Sequence, residues 1–504
     1  MPKQIDRRWL GVFRRLFSSS SSQKNHSVTT KSASMATNPQ LSQAAMLSGP
    51  AKLTAVTSLV QKLAQDLDSV NLLPHERDAA LEELKIYGRD PRNADPIFAK
   101  EGIEMLARHA FDSPSSTTSR HALRCLCNAL LLKKECRQMF VDVGYEAKVC
   151  KKLKNDNRED EFLVSRLIFF TTYDTDLDVG QLVDKYRLAD SITKNLERHA
   201  RHYRAGRPTS DPMQDMALIE TVKLLFNVAY YCGRKTSFTQ AIPHVVTILC
   251  KGSFQVDKPL DAPIGFLINA LLNLNLDAKE VQSSLYPSAN PTVLSDRLIH
   301  LLDQSRARYQ DEELDGILSA LLGVIQAVCL HAPREVQDSF RQKLLPTEAD
   351  RKEVLGRGAS LPSWLLKNST NPIAPNTRLI LSHLLFNLSG QDASKFVENV
   401  GYGIASGFLF SQNISIPQNA AEAFSNEADS FSRPINPVTG QFLDSERHPE
   451  IPEMTEAERE REAERLFVLF QRLQANGVIS VENPIRTAVE EGRFEELPDD
   501  EDVD

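Results

Sequence analysis

None of the short motifs that support covalent chemistry on nucleotides or peptides occurs in this sequence. No GxxxxGK[ST] run is present to cradle phosphates and no HExxH to hold zinc. The GRG of residues 356–358 lacks the third glycine of a dinucleotide fingerprint. A hydrolase or transferase would also need a nucleophile set beside a base, and no such pairing can be found. Paired CxxC spacing is missing, so no zinc site is expected, and the seven cysteines form an odd set. Cys125, Cys127, Cys232, Cys250 and Cys329 lie in or beside apolar helical stretches, where a free cysteine behaves as a small hydrophobe. That points to a reducing compartment. Positive charge is not in excess either. The net charge of −8 argues against non-specific nucleic-acid binding while leaving room for a local basic patch. Tryptophan is scarce, with only Trp9 and Trp364. The longest nearly apolar run, ILSALLGVIQAVCL at 317–330, has the length of a buried core helix and is too short to span a bilayer. No segment sustains the period-two alternation of a half-buried strand, so the chain reads as all-α.

Helical periodicity is abundant. In RLILSHLLFNLSGQDASKFVENVGYG (378–403), Leu379, Ile380, Leu384, Leu385 and Leu388 make one broad apolar face. Ser389 and Gly390 stop that helix, and a second begins in QDASKF and ends near the glycines of GYG. The unit is a helix hairpin. Its signature, leucine and apolar residues ahead of an asparagine, recurs at Asn128, Asn227, Asn269 and Asn387. With the apolar helix LIFFTT (167–172) and the helix around Val324, these positions are spaced by roughly 40–60 residues, which suits armadillo or HEAT units carrying loop insertions. The insertions follow Tyr203, Val256 and Ser284, and a long one covers 345–377.

The fold expected is an armadillo/HEAT-like right-handed superhelical solenoid with a C-terminal tethered helix. Residues 1–45 are basic, serine-rich and nearly free of acids, the composition either of a transit peptide or of a disordered leader, with Met35 or Met46 as an alternative start. The solenoid is expected over 46–412 and a polar, proline-dotted connector over 413–453. A helix and its extension follow over 454–485, then an acidic disordered tail over 486–504. Thr455 and Glu458 form a capping box for that last helix, and its apolar stripe includes Phe467 and Phe470. The stripe could cap the solenoid end, dock a partner or lie on a membrane; mixed charge disfavours the membrane.

Candidate sites follow from the helical frame. An asparagine repeated on groove-lining helices can offer a donor and an acceptor to a bound peptide backbone, or it can bridge neighbouring helices internally; both readings stand. Arg124 and Lys223 precede Asn128 and Asn227 by four residues, on the same helix face, and could meet a carboxylate. Arg166, one residue before LIFFTT, is a further candidate cation. The candidate partner-binding set is thus Arg124, Asn128, Arg166, Lys223, Asn227, Asn269, Asn387, Phe467 and Phe470. His199 and His202 have a spacing that could hold a metal, but Arg198, Arg201 and Arg204 surround them, and a solvated basic face is the other reading. His383, on an apolar helix, reads as a hydrogen-bonded core histidine.

The stretches RCLCNALL (124–131), ETVKLLFNVAY (220–230), LLPTEADRKEVLGRG (344–358), HLLFNLSGQDASKFVENVGYG (383–403), INPVTG (435–440) and MTEAEREREAERLFVLFQRLQANGVI (454–479) together resemble the synembryn family. They run in family order across most of residues 50–485, and INPVTG followed by MTEAE is the most specific part. The resemblance implies a cofactor-free, monomeric, non-receptor exchange factor and folding chaperone for heterotrimeric G-protein α subunits, GDP-bound or nucleotide-free. It implies a concave face that grips the α subunit's C-terminal helix, assisted by the C-terminal segment. A cytoplasmic location, with recruitment to the cell cortex or plasma membrane through the G protein, goes with it. Two departures stand out: the basic leader, and a connector, SNEADSFS, less acidic than the phosphorylation segment of animal members. Ser425, Ser430 and Ser432 are the candidate phosphosites. The alternative is an armadillo-type peptide adaptor or transport factor without exchange activity, though such grooves set tryptophans beside their asparagines.

Overall fold

The computed structural model describes residues 47–206, 211–254, 256–415 and 433–446, with Thr455, Arg461, Arg465 and Val468 beyond them. The chain divides into two units, Met1–Asp444 and Ser445–Asp504.

The first unit is a stack of helices, and among the described residues it has no strand beyond one isolated bridge, Ile435 with Phe442. One row consists of α2 (Pro74–Tyr87), α5 (Ser116–Leu132), α8 (Arg158–Thr171), α11 (Pro212–Tyr231), α13 (Ile264–Asn273), α16 (Asp311–Leu330) and α19 (Pro375–Leu388), each packed on the next. Against it lie α1 (Gly49–Ser69), α4 (Lys100–Phe111), α10 (Leu188–Arg204), α12 (Ile242–Lys251), α15 (Val293–Arg306) and α17 (Arg334–Leu344). Shorter helices fill the turns: α3 (Asp95–Phe98), α6 (Glu135–Asp142), α7 (Glu146–Lys152), α9 (Val179–Asp184), α14 (Gln282–Leu285) and α18 (Leu361–Asn368). All six positions marked by the repeat signature fall on the row from α5 to α19, and the protein is an all-α solenoid. α2, starting one period of about 42 residues before α5, is the seventh member and carries no such asparagine.

Local chemistry explains where the row helices start. Ser115, Asn157 and Asp211 cap α5, α8 and α11, their side-chain oxygens accepting from Thr118 N, from Glu159 N and Asp160 N, and from Met213 N. Side chains then tie one repeat to the next. Thr118 Oγ1 donates to Asp78, and Arg120 Nε donates to Asp160 Oδ1 at 2.9 Å. The thiols of Cys125 and Cys127 donate to the carbonyls of Leu81 and Leu163, both at 3.4 Å. Burial pushes both thiols up to about 12, so they serve as packed donors rather than thiolates.

The apolar run lies in α16, where Glu313–Leu330 has the length and composition of a membrane span yet is more than half buried. Leu314, Leu318, Leu321, Leu322, Val324 and Ile325 have at most 1% exposure, because α13, α15 and α19 close around them. Gly323 lets α13 approach; a Cβ there would meet Leu272 Cδ1 at 2.8 Å.

The hairpin at 378–403 forms as read, with α19 followed by α20 (Ala393–Val400) under an Asp392 cap. Two features depart from expectation. Gly401, at φ +82°, ends α20 as expected, but a further helix, α21 (Tyr402–Ser411), starts directly after it. The connector expected over 413–453 is not a free tether throughout: residues 433–444 fold back onto the end of the stack. Tyr402 N donates to Pro437 O, Gly403 N to Val438 O, Leu355 N to Thr439 O and Phe442 N to Arg351 O, at 2.8–3.2 Å. Arg351, 1% exposed, donates to Gly440 O at 3.0 Å and Glu398 O at 2.9 Å, joining three separated stretches. The long insertion over 345–377 is likewise structured, since it contains both Arg351 and α18. These parts enclose a small core of their own, built on Leu355, Leu366, Leu385, Phe396, Val400 and Phe408, distinct from the main one.

Candidate partner-binding face

Each helix of the row buries three sides and leaves one stripe accessible, because residues three and four apart share a face. On α5 the stripe is His121, Arg124, Asn128 and Leu131; on α8 it is Phe162, Arg166 and, just past the helix, Tyr173. On α11 it is Met216, Ile219, Lys223, Phe226 and Tyr230, and on α13 it is Phe266, Asn269 and Leu272. α19 contributes Leu379, His383, Phe386 and Asn387.

The character of this face changes along the stack. Its first half is charged. Arg124 pairs with Glu159, and burial, helped by neighbouring Arg120, holds its guanidinium below the ordinary arginine range. Arg166 Nη1 lies 3.1 Å from Glu220 Oε1, with its guanidinium over the rings of Phe162 and Phe170 at 5.8 and 5.4 Å. Lys223 Nζ reaches both Glu220 oxygens at 3.1 Å and sits 4.4 Å from the Phe169 ring centroid. Burial pulls this lysine below its ordinary range, while Glu220 opposes the shift. Past α11 the charge thins: residues 264–273 contain no ionisable side chain, α16 has its acids only in the opening DEELD, and α19 adds one exposed cation, Arg378.

The four asparagines have different fates. Asn128 and Asn269 are half-buried and their carboxamides make no hydrogen bond among the described residues, so each has one to offer. Asn387 accepts from Gln391 Nε2 at 3.1 Å. Asn227 departs from the groove reading: at 2% exposure it donates to Thr172 Oγ1 at 2.7 Å and accepts from the Tyr173 hydroxyl at 3.2 Å. It bridges α11 to the end of α8, and that hydroxyl holds Tyr173, whose ring meets Tyr231 edge-on at 6.3 Å. Phe467, Phe470, Ser425, Ser430 and Ser432 lie outside the described residues.

Sequence reasoning missed what stands behind the face. Glu161, 1% exposed, accepts from His199 Nε2 at 2.9 Å, Arg198 Nη2 at 2.7 Å and Thr221 Oγ1 at 2.7 Å, locking α8, α10 and α11 together. Burial alone would raise its carboxyl, but these partners, with His199 foremost, hold it down at about 2. His199 is therefore a buried structural residue, not part of a solvated face, whereas Arg201 and Arg204 are exposed. The EFLVSR stretch around Glu161 offered one signal, an acid in the apolar frame. His383, in place of the expected hydrogen bond, packs edge-on to Phe408 with ring centroids 4.9 Å apart.

The family model of the guanine nucleotide exchange factor synembryn matches residues 80–493. The chain belongs to the synembryn family. It is 28% identical to a synembryn-like chaperone of Schizosaccharomyces pombe over 367 residues, 67% of this chain and 66% of that one. It is 24% identical to the chaperone Ric-8A of Macaca fascicularis over 459 residues, 83% of this chain and 85% of the relative. The Ric-8A of Xenopus tropicalis gives 24% over 457 residues, 81% and 83% of the two chains. Among solved structures the chain is similar to a designed armadillo repeat protein, at 13% identity and a TM-score of 0.37 over 53% of this chain and 99% of the other. A structure from work on the cadherin and beta-catenin interaction gives 12% and 0.40, over 71% and 85%.

Proposed function

We propose that the chain is a non-receptor guanine nucleotide exchange factor and folding chaperone for heterotrimeric G-protein α subunits, and that it takes the α subunit's C-terminal helix along the open face from α5 to α19. The observation that supports this most is the change of character along that face, with Arg124, Arg166 and Lys223 on one half and largely apolar side chains, with few charges, on the other. An amphipathic helix ending in a carboxylate complements both halves.

The mechanism has no covalent step. An exchange factor shifts the α subunit toward its nucleotide-free state only by binding that state better. Holding the C-terminal helix away from its own domain does this, since the helix follows directly on the loop that contacts the guanine. By linkage, GTP binding expels the factor. Chaperoning uses the same complex, because a face that accepts an undocked helix stabilises an incompletely folded α subunit by mass action.

The test is GDP release from purified α subunits with the full chain and with Arg166→Ala plus Lys223→Ala. Release accelerated by the parent chain and slowed about tenfold in the double variant, equivalent to ~1.4 kcal/mol in the barrier to release, supports the reading. No acceleration by folded protein with any α subunit would favour a chaperone without exchange activity or a peptide adaptor.

A further inference from the structure

We propose that Glu220 is a positioning residue of this face, holding the Arg166 guanidinium and the Lys223 ammonium side by side so that their remaining N–H groups meet one carboxylate of the bound partner. This rests on the reading of the face given above.

The geometry is a three-part cluster across two helices. Glu220 Oε1 accepts from Arg166 Nη1 and from Lys223 Nζ, each at 3.1 Å, and Oε2 accepts from Lys223 at 3.1 Å. The carboxylate is at the bottom, with 5% of its side chain exposed, and the cations lie above it at 28% and 13%. Two cations against one anion leave a net positive charge with one accessible side. Guanidinium and ammonium together have eight N–H donors, of which Glu220 occupies only a few. The rings of Phe162, Phe169 and Phe170 flank the cations and exclude water from their sides, which strengthens an ion pair formed there. Without the acid, two half-buried like charges would face each other across the α8 and α11 contact and swing apart or lose a proton. A carboxylate beneath them fixes their spacing and keeps both charged.

The charged groups that the structure sets against Lys223 are Glu220 on its own helix and Arg166 on α8. α13, packed on the other side of α11, contributes none. Burial already depresses this lysine and Glu220 opposes the shift. Removing the acid's charge therefore lowers the lysine further, and the ammonium is lost as pH rises.

The experiment titrates the full chain with a synthetic peptide of an α subunit's C-terminal helix, once with a free C-terminal carboxylate and once as the amide. It compares the parent with Glu220→Gln, Glu220→Asp and Lys223→Met between about pH 6.5 and 9. Expected for the parent is a roughly tenfold preference for the free acid, steady across the range. Glu220→Gln should lose most of that preference at the alkaline end and regain part of it at the acid end. Glu220→Asp should recover part of it throughout, and Lys223→Met should bind weakly with no slope. Failure of the parent to bind either peptide would overturn the reading of the face itself. Binding by Glu220→Gln with the parent's preference and no slope would overturn the role of Glu220 alone. Should Glu220→Gln fail to fold, Glu220→Asp decides: weaker binding of the acid with the amide unchanged supports the role, and parental binding of both overturns it.

Discussion

At the scale of single residues, the solenoid keeps its charges in two classes. One set faces outward and is half-buried, as with Arg124, Arg166 and Lys223. The other, around Glu161, is sealed between three helices. A sealed carboxylate with three donors is stable only while it stays ionised and partnered, so Glu161→Gln should destabilise the protein by about 3 kcal/mol in urea denaturation. The same group gives a pH dependence of known sign. Its folded value near 2 lies below the unfolded one, so its contribution is present above about pH 4.5 and is lost as pH falls through 2. The parent should therefore lose more stability than Glu161→Gln between about pH 5 and 3, by up to ~2 kcal/mol, read from the urea midpoint at each pH. Asn227, though neutral, is sealed too, at 2% exposure. The sequence showed its helical frame but not its depth, because Thr172 and Tyr173, which occupy its carboxamide, are 55 and 54 positions away.

At the scale of elements, the 433–444 clasp is the part least visible beforehand. Helices reveal themselves by local period, and the six marked positions fell on the row because burial repeats with each unit. The clasp is made by backbone groups and by the side chains of Arg351 and Gln441 across 89 positions, which no local pattern encodes. INPVTG marked a family, not a contact. Gly440 shows how tight the closure is: φ is +69°, and a Cβ would come within 2.3 Å of Leu355 Cδ1. Gly440→Val or Arg351→Met should open the clasp at a cost of roughly 2–4 kcal/mol. Amide hydrogen exchange should then accelerate in α20 and α21, which share the small separate core, while α2 to α8 keep their protection. Uniform acceleration along the whole stack would show instead that the end of the solenoid is not a separate cooperative unit.

At the scale of the whole molecule, each row helix touches chiefly its neighbours, so stability is close to a sum of units and their interfaces. Exchange protection should be greatest in α8, α11 and α13 and should decline toward both ends, and hydrogen exchange with peptide-level resolution would measure that profile. Nearest-neighbour order also has a consequence for synthesis. α16 leaves the ribosome with its apolar run 317–330 uncovered, and the last helix that covers it, α19, ends at Leu388. At ~5–20 residues per second, the chain from Leu330 to Leu388 takes about 3 to 12 seconds to appear. For those seconds the nascent protein displays an apolar segment whose cover has not yet been made. A relative of proteins named as chaperones thus depends, in making itself, on its seventh row helix arriving in time.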